Sequence, residues 1–307
     1  MSFRKRVSLR DAMKGIVEEP LLPIVPKRFD YIGDVAVISI PPELVAYKKA
    51  IVSKLFSMRG NTRAVLNKVS KLEGEHRVAD FELLLGETTE TIHRENGYIY
   101  KLDVKKVFFN PRLYSERRRI ASKIKSGEHI IVPFAGVGPF VLPAAGKGAK
   151  VYAIEINPDA CACLQENIRI NKLESQITVI QEDFEKVFNI VCSAKINKEL
   201  INTIFSDLPI CLNPEKAEDE SFQIPKNGFD RAIVPTPYGM DHFLERVSKL
   251  VKKGGYIHFY TFKAESQIPE LIEAYEKMGL EVELYRRAGN VAPGISRWVF
   301  DLIKKQV

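Results

Sequence analysis

Cysteine is scarce: four residues in 307, Cys161, Cys163, Cys192 and Cys211, with no Cys-x-x-Cys pair. That excludes a zinc cage and a disulfide framework, and a reducing cytoplasm is the compartment expected. The five histidines show no metal-ligand spacing, so no metal site is predicted. No apolar run approaches the ~20 residues that span a bilayer. The N-terminal stretch MSFRKRVSLRDAMKGIVEEP has basic residues but no apolar core leading to a small-residue cleavage site, so neither membrane insertion nor export is expected. Internal repeats and low-complexity tracts are absent as well. Apolar content is not lacking: at 45% it supplies a sizeable core, and the length suits two domains at ~150 residues each.

The net charge of +7 is unevenly distributed. Residues 1–126 hold 25 basic against 15 acidic side chains, which leaves 21 against 24 for the remainder. Residues 101–126 alone carry nine basic and two acidic groups, including Arg112, Arg117, Arg118, Arg119, Lys123 and Lys125. Such a run is either a solvated helix face or a surface that contacts phosphates.

Periodicity predicts a strand over 30–40, then a helix introduced by Pro41 and Pro42 and running to about residue 58. Residues 64–106 read as strand-rich, with Gly74, Gly86 and Gly97 at turns. A basic helix from about residue 114 leads into strands at 129–134, 150–156, 177–183, 228–235 and 255–262. Helices at 157–172, 239–252 and 267–278 separate them, and alternation at this spacing predicts a doubly wound, mainly parallel sheet. The expected organisation is a basic extension (1–26), a small α/β module (27–107) and an α/β domain (108–307) interrupted by an insertion at about 184–227.

The strongest local signal is PFAGVGPF (133–140) at a strand-to-helix turn. Gly136 and Gly138 allow a ligand to approach the backbone closely beside Phe134. Glu155, at the end of the second strand of the α/β domain, can accept hydrogen bonds from both hydroxyls of a ribose, and Asp183 closes the third strand where an adenine amino group would lie. These features describe an adenosine-containing cofactor. Val141 stands where a dinucleotide fingerprint has its third glycine, which favours S-adenosylmethionine over NAD.

These segments, with GEHR (74–77), TIHRENGYIYKLDV (91–104), FFNPRLYSERRRIA (108–121), AIEINP (153–158) and RRAGNVAPG (286–294), resemble the archaeal and eukaryotic tRNA guanine-N1 methyltransferases from about Lys27 to the C-terminus. The resemblance implies a Rossmann-like class I methyltransferase domain that holds S-adenosylmethionine, beside a smaller RNA-binding module. It implies tRNA as the partner, with no DNA or membrane partner, and a monomer is expected. The implied reaction methylates N1 of the guanine immediately 3′ of the anticodon. Glu116 is then the general base, Arg77 stabilises O6, and Arg112 and Arg117 contact phosphate or hold Glu116 in place.

Two positions depart from the family pattern. Val132 stands where the family has an aspartate that holds the cofactor's methionine end. Pro235 replaces an asparagine whose amide reaches the guanine, leaving Thr236 or Tyr238 to substitute through a hydroxyl. Phe108, Phe109 and Tyr238 are candidate stacking surfaces for an extruded base, and SDLPICL (206–212) reads as packing of the insertion. Pro139 favours methyl transfer, because the related wyosine-pathway aminocarboxypropyl transferases have tyrosine there. The alternatives are a wyosine-pathway tRNA transferase, moving a methyl or an aminocarboxypropyl group, and a tRNA-binding paralogue without catalysis.

Overall fold

A computed structural model of the chain describes residues 8–70, 79–196, 210–211, 225 and 227–306. It divides into two compact units: the first is residues 1–94 with 99–111, the second 95–98 with 112–307. The expected boundary at 107/108 therefore falls four residues early, and residues 95–98, the tip of a hairpin, group with the second unit.

The first unit is a four-stranded sheet of β1 (Asp30–Ile32), β2 (Val35–Ile38), β3 (Ala64–Lys68) and β4 (Phe81–Leu85) in that order. The single strand expected over 30–40 is instead a hairpin, β1 antiparallel to β2. Gly33 turns it with φ +57°, and a Cβ there would lie 2.0 Å from Thr91 Oγ1, so no other residue fits. Residues 42–58 open as a 3-10 turn before continuing as an α-helix, and β2 and β3 run parallel. The short helix α1 (Leu9–Ala12) corrects the expected extension: Leu9, Met13 and Val17 recur every fourth residue and bury into one core with Leu44, Ile51 and Leu55 of the module. We number the helix at Lys48–Met58 α2. The strands β5 (Glu90–Glu95) and β6 (Tyr98–Asp103) form the hairpin.

The second unit begins with α3 (Tyr114–Lys123), followed by β7 (His129–Pro133), α4 (Val141–Ala145), β8 (Lys150–Glu155), α5 (Pro158–Asn171), β9 (Ile177–Gln181) and α6 (Phe184–Ile196). The chain continues through β10 (Ile210–Cys211), β11 (Phe229–Val234), α7 (Phe243–Leu250), β12 (Val251–Lys263), α8 (Ile268–Lys277), β13 (Leu280–Ala292) and β14 (Ile295–Lys304). The sheet order is β10-β9-β8-β7-β11-β12-β14-β13. The five strands from β9 to β12 are parallel, whereas β13 and β14 form an antiparallel pair on β12, which periodicity did not predict. β7 and β8 are nearly continuous apolar runs because both faces are covered. α7 buries Phe243, Leu244, Val247 and Leu250 on one stripe against Phe229 and Phe259, each full burial worth ~1.5–3 kcal/mol. Among the described residues no helix is long and apolar enough to cross a membrane. Strand order reverses between β7 and β11, and in open α/β sheets ligands bind at the carboxyl ends of strands flanking such a reversal.

Candidate active site

The turn after β7 carries three consecutive alternations into the left-handed region: Phe134 (φ +57°), Gly136 (+55°) and Gly138 (+91°). For a phenylalanine this backbone is costly, and such strain clusters where a ligand is held. Phe134 is fixed by a tilted ring contact with Phe184 and an edge contact with Phe243. At Gly138 a Cβ would meet Leu164 Cδ1 at 2.5 Å, so the glycine lets α5 pack against the turn. Asn167, fully buried on α5, donates to the Val137 carbonyl at 3.1 Å and holds the turn from behind.

Glu155 ends β8 beside this turn. Its Oε2 accepts from the Gly136 amide at 2.7 Å, and its Oε1 from the amides of Ile156 and Asn157 at 3.0 and 2.9 Å. The carboxylate is thus oriented by three backbone donors at the edge where a ribose would lie. Asp183 follows β9, and its Oδ1 caps α6 by accepting from the amides of Glu185 and Lys186. Phe134, Gly136, Gly138, Glu155 and Asp183 therefore line the carboxyl edge of three adjacent strands. This donor set suits an adenosine nucleoside.

Glu116 lies in the first turn of α3 and is only 4% exposed. Its Oε1 accepts from Arg119 Nε at 2.7 Å and lies 3.4 Å from the Tyr260 hydroxyl, while Arg286 Nε is 3.7 Å from Oε2. The Tyr260 ring packs 5.4 Å from Phe140, the last residue of the glycine motif. Arg119 also pairs with Asp301, at 2.5 Å from Nη1 to Oδ2 and 3.0 Å from Nη2 to Oδ1. Asp301 in turn meets His258 Nδ1 at 2.6 Å, and His258 Nε2 faces Arg231 Nη1 at 2.7 Å. Arg231 ends the row on Glu128. Because arginine can only donate, Nε2 is the acceptor and His258 is a neutral imidazole with its proton on Nδ1. Burial lowers its pKa accordingly. Burial alone would raise the Asp301 carboxyl, but His258, Arg119 and Lys123 hold it well below the usual carboxylate range.

A family model for the TRM5/TYW2 methyltransferase domain matches residues 91–210, and one for the TYW2 N-terminal domain matches residues 9–89. The tRNA (guanine(37)-N(1))-methyltransferase Trm5b of Pyrococcus abyssi is 35% identical over 90% of this chain and 74% of its own length. The chain belongs to the TRM5/TYW2 methyltransferase family. Another member, the tRNA(Phe) (4-demethylwyosine(37)-C(7)) aminocarboxypropyltransferase of Pyrococcus horikoshii, is 32% identical over 96% of this chain and 95% of its own. The solved structure of M. jannaschii TYW2 in complex with AdoMet superposes with a TM-score of 0.56 at 25% identity, covering 90% of this chain and all of that one.

Within the TRM5/TYW2 fold, the remaining sequence candidates separate. Arg77, with the GEHR segment, lies outside the described residues. Arg112 is exposed, whereas Arg117 is 1% exposed and forks onto both carboxylate oxygens of Glu95. Arg119 holds Glu116. The basic run is therefore split: Arg112, Arg118 and Lys125 face outward, while Arg117, Arg119 and Lys123 are tied into ion pairs. Thr236 is 3% exposed and its hydroxyl donates to the Val234 carbonyl at 3.1 Å, so it is turned inward; Tyr238 is 57% exposed, 5.4 Å from the Phe262 ring. Phe109 is buried beside Tyr100 and His93, whereas Phe108 is 45% exposed. Val132 is fully buried in β7. Of SDLPICL, Ile210 and Cys211 form β10 against β9, and the rest lies outside the described residues. Tyr260, His258 and Asp301 escaped sequence reasoning because each meets a partner distant in the chain: Tyr260 meets Glu116, and Asp301 meets both His258 and Arg119.

Proposed function

We propose that this protein is an S-adenosylmethionine-dependent tRNA methyltransferase acting on N1 of the guanine immediately 3′ of the anticodon. The observation that carries this reading is Glu116, a buried carboxylate held by Arg119 and joined through Tyr260 to Phe140 of the glycine turn. When bound, S-adenosylmethionine supplies a methyl group on a sulfonium. Gly136, Gly138 and Glu155 would hold its nucleoside, with Asp183 toward the adenine. Guanine N1 carries a proton at neutral pH, so its attack requires a base. Both short contacts of Glu116 fall on Oε1, which leaves Oε2 as the oxygen that takes the N1 proton. Arg286 Nε stands 3.7 Å from Oε2. A stacked base is out of reach, so the guanine is extruded, and exposed Tyr238 on Phe262 offers it a stacking surface. The match to the TYW2 N-terminal domain supports a second reading, aminocarboxypropyl transfer at the same tRNA position, which Pro139 disfavours. Methyl-labelled cofactor with tRNA transcripts carrying guanine or adenine at that position tests the first reading. Label should enter the guanine transcript alone; label in neither, or equally in both, would refute it.

A further inference from the structure

Among the described residues, Arg297 has no counter-ion. Strand register pairs His258 with Asp301, Tyr260 with Val299 and Phe262 with Arg297, so these side chains share the sheet face on which Glu116 and Arg119 lie. The buried ionic row on this face ends at Glu116 and Tyr260, and Arg297 stands one pair beyond it, at the carboxyl edge. Its guanidinium lies over the Phe262 ring at 4.9 Å, and no carboxylate or carbonyl among the described residues pairs with it. Burial, reinforced by Arg117, lowers its pKa to about 10. A half-buried arginine without an ionic partner lacks the compensation that ion pairing gives Arg117, Arg119 and Arg231.

We propose that Arg297 is a catalytic residue that donates to the 6-carbonyl oxygen of the extruded guanine; this rests on the methyl-transfer reading. The N1 proton passes to Glu116, the N1 electron pair forms the bond to the methyl carbon, and the methyl–sulfur pair returns to sulfur. Negative charge collects on the 6-oxygen as the proton leaves, and a guanidinium on the sheet face that carries Tyr260 stabilises it. The surroundings favour a base over other anionic oxygens. Tyr238, Phe262 and Tyr260 are aromatic, unlike a phosphate-contacting rim, and β14 stands three strands, ~14 Å, from the β7 edge where the cofactor turn lies.

The test compares the full-length protein with Arg297→Met and Arg297→Lys. With S-adenosylhomocysteine present, affinity is measured for tRNA carrying guanine or 2-aminopurine, which lacks the 6-oxygen, at the target position. Wild type should prefer guanine by about tenfold, Arg297→Met should lose most of that preference, and Arg297→Lys should fall between them. In single turnover Arg297→Met should lose about 100-fold in rate, with its pH profile displaced to higher pH. A preference undiminished in Arg297→Met, or missing in wild type, overturns the assignment. So does uniformly weaker tRNA binding with a shallower salt dependence, which marks a phosphate contact, or weaker cofactor binding, which marks a carboxylate contact. The product mass from wild type separately reports whether methyl transfer itself is correct.

Discussion

The Tyr260 hydroxyl lies 3.4 Å from Glu116 Oε1. Burial and the adjacent carboxylate push the phenol well above its ordinary pKa, so Tyr260 is a protonated donor, and its ring contact with Phe140 couples the carboxylate to the glycine turn. The proposed base is thereby positioned by the same strand, β12, that neighbours β11 at the sheet reversal.

Glu116→Gln removes the proton acceptor and keeps the shape. Single-turnover methylation should fall by 10²–10⁴-fold, about what a general base contributes, with the tRNA dissociation constant changed less than about twofold. Equal losses in rate and affinity would mark Glu116 as a docking residue.

Asp301→Asn strips a buried charge from Arg119, Lys123 and His258 together. Breaking a buried pair costs about 3–5 kcal/mol, so Tm should drop by roughly 10 °C in thermal denaturation. A change below about 1 kcal/mol would mean that the row is solvated in solution.

Stability should also fall with acid through His258. Its folded pKa is depressed by burial, so below the unfolded value of about 6.5 the unfolded chain binds the extra proton and gains population. The contribution is complete above that pH and declines as pH falls through it. Denaturant midpoints measured from pH 7.5 to 5 should decrease, and less steeply in His258→Asn.

The glycine turn and Glu155 were legible because they are local: close backbone approach, a helix start and an acid at the end of the next strand are all encoded within 23 residues, 133–155. The ion row was not. Arg119 and Asp301 are 182 residues apart, and Tyr260 is 144 from Glu116, so no spacing rule joins them. β14 hid for a related reason, since Arg297 and Asp301 interrupt its apolar pattern to face the row. β13, on the sheet edge, is mostly exposed and lacks a clean alternation. The burial of Arg117 was not legible either, because sequence cannot tell an outward arginine from one buried on Glu95.

Arg118 and Arg117 should separate in the same way by experiment. Arg118→Ala should weaken tRNA binding and shallow its salt dependence by about one phosphate. Arg117→Ala, leaving Glu95 buried and unpaired, should lower thermal stability by about 3–5 kcal/mol. Salt titrations and melting curves on both variants check this.

Gly138→Ala should cost about 1–3 kcal/mol through its left-handed backbone and weaken S-adenosylmethionine binding, because the new Cβ presses on Leu164. Calorimetry reads the affinity; unchanged binding would remove the turn from the cofactor site.

The most direct measurement is the mass of the nucleoside 3′ of the anticodon after unmodified tRNA is incubated with the protein and S-adenosylmethionine. The account predicts guanosine heavier by one methyl group, carried on N1, and its absence after Glu116→Gln. An aminocarboxypropyl adduct, or an unmodified guanosine under conditions where the cofactor binds, would contradict it.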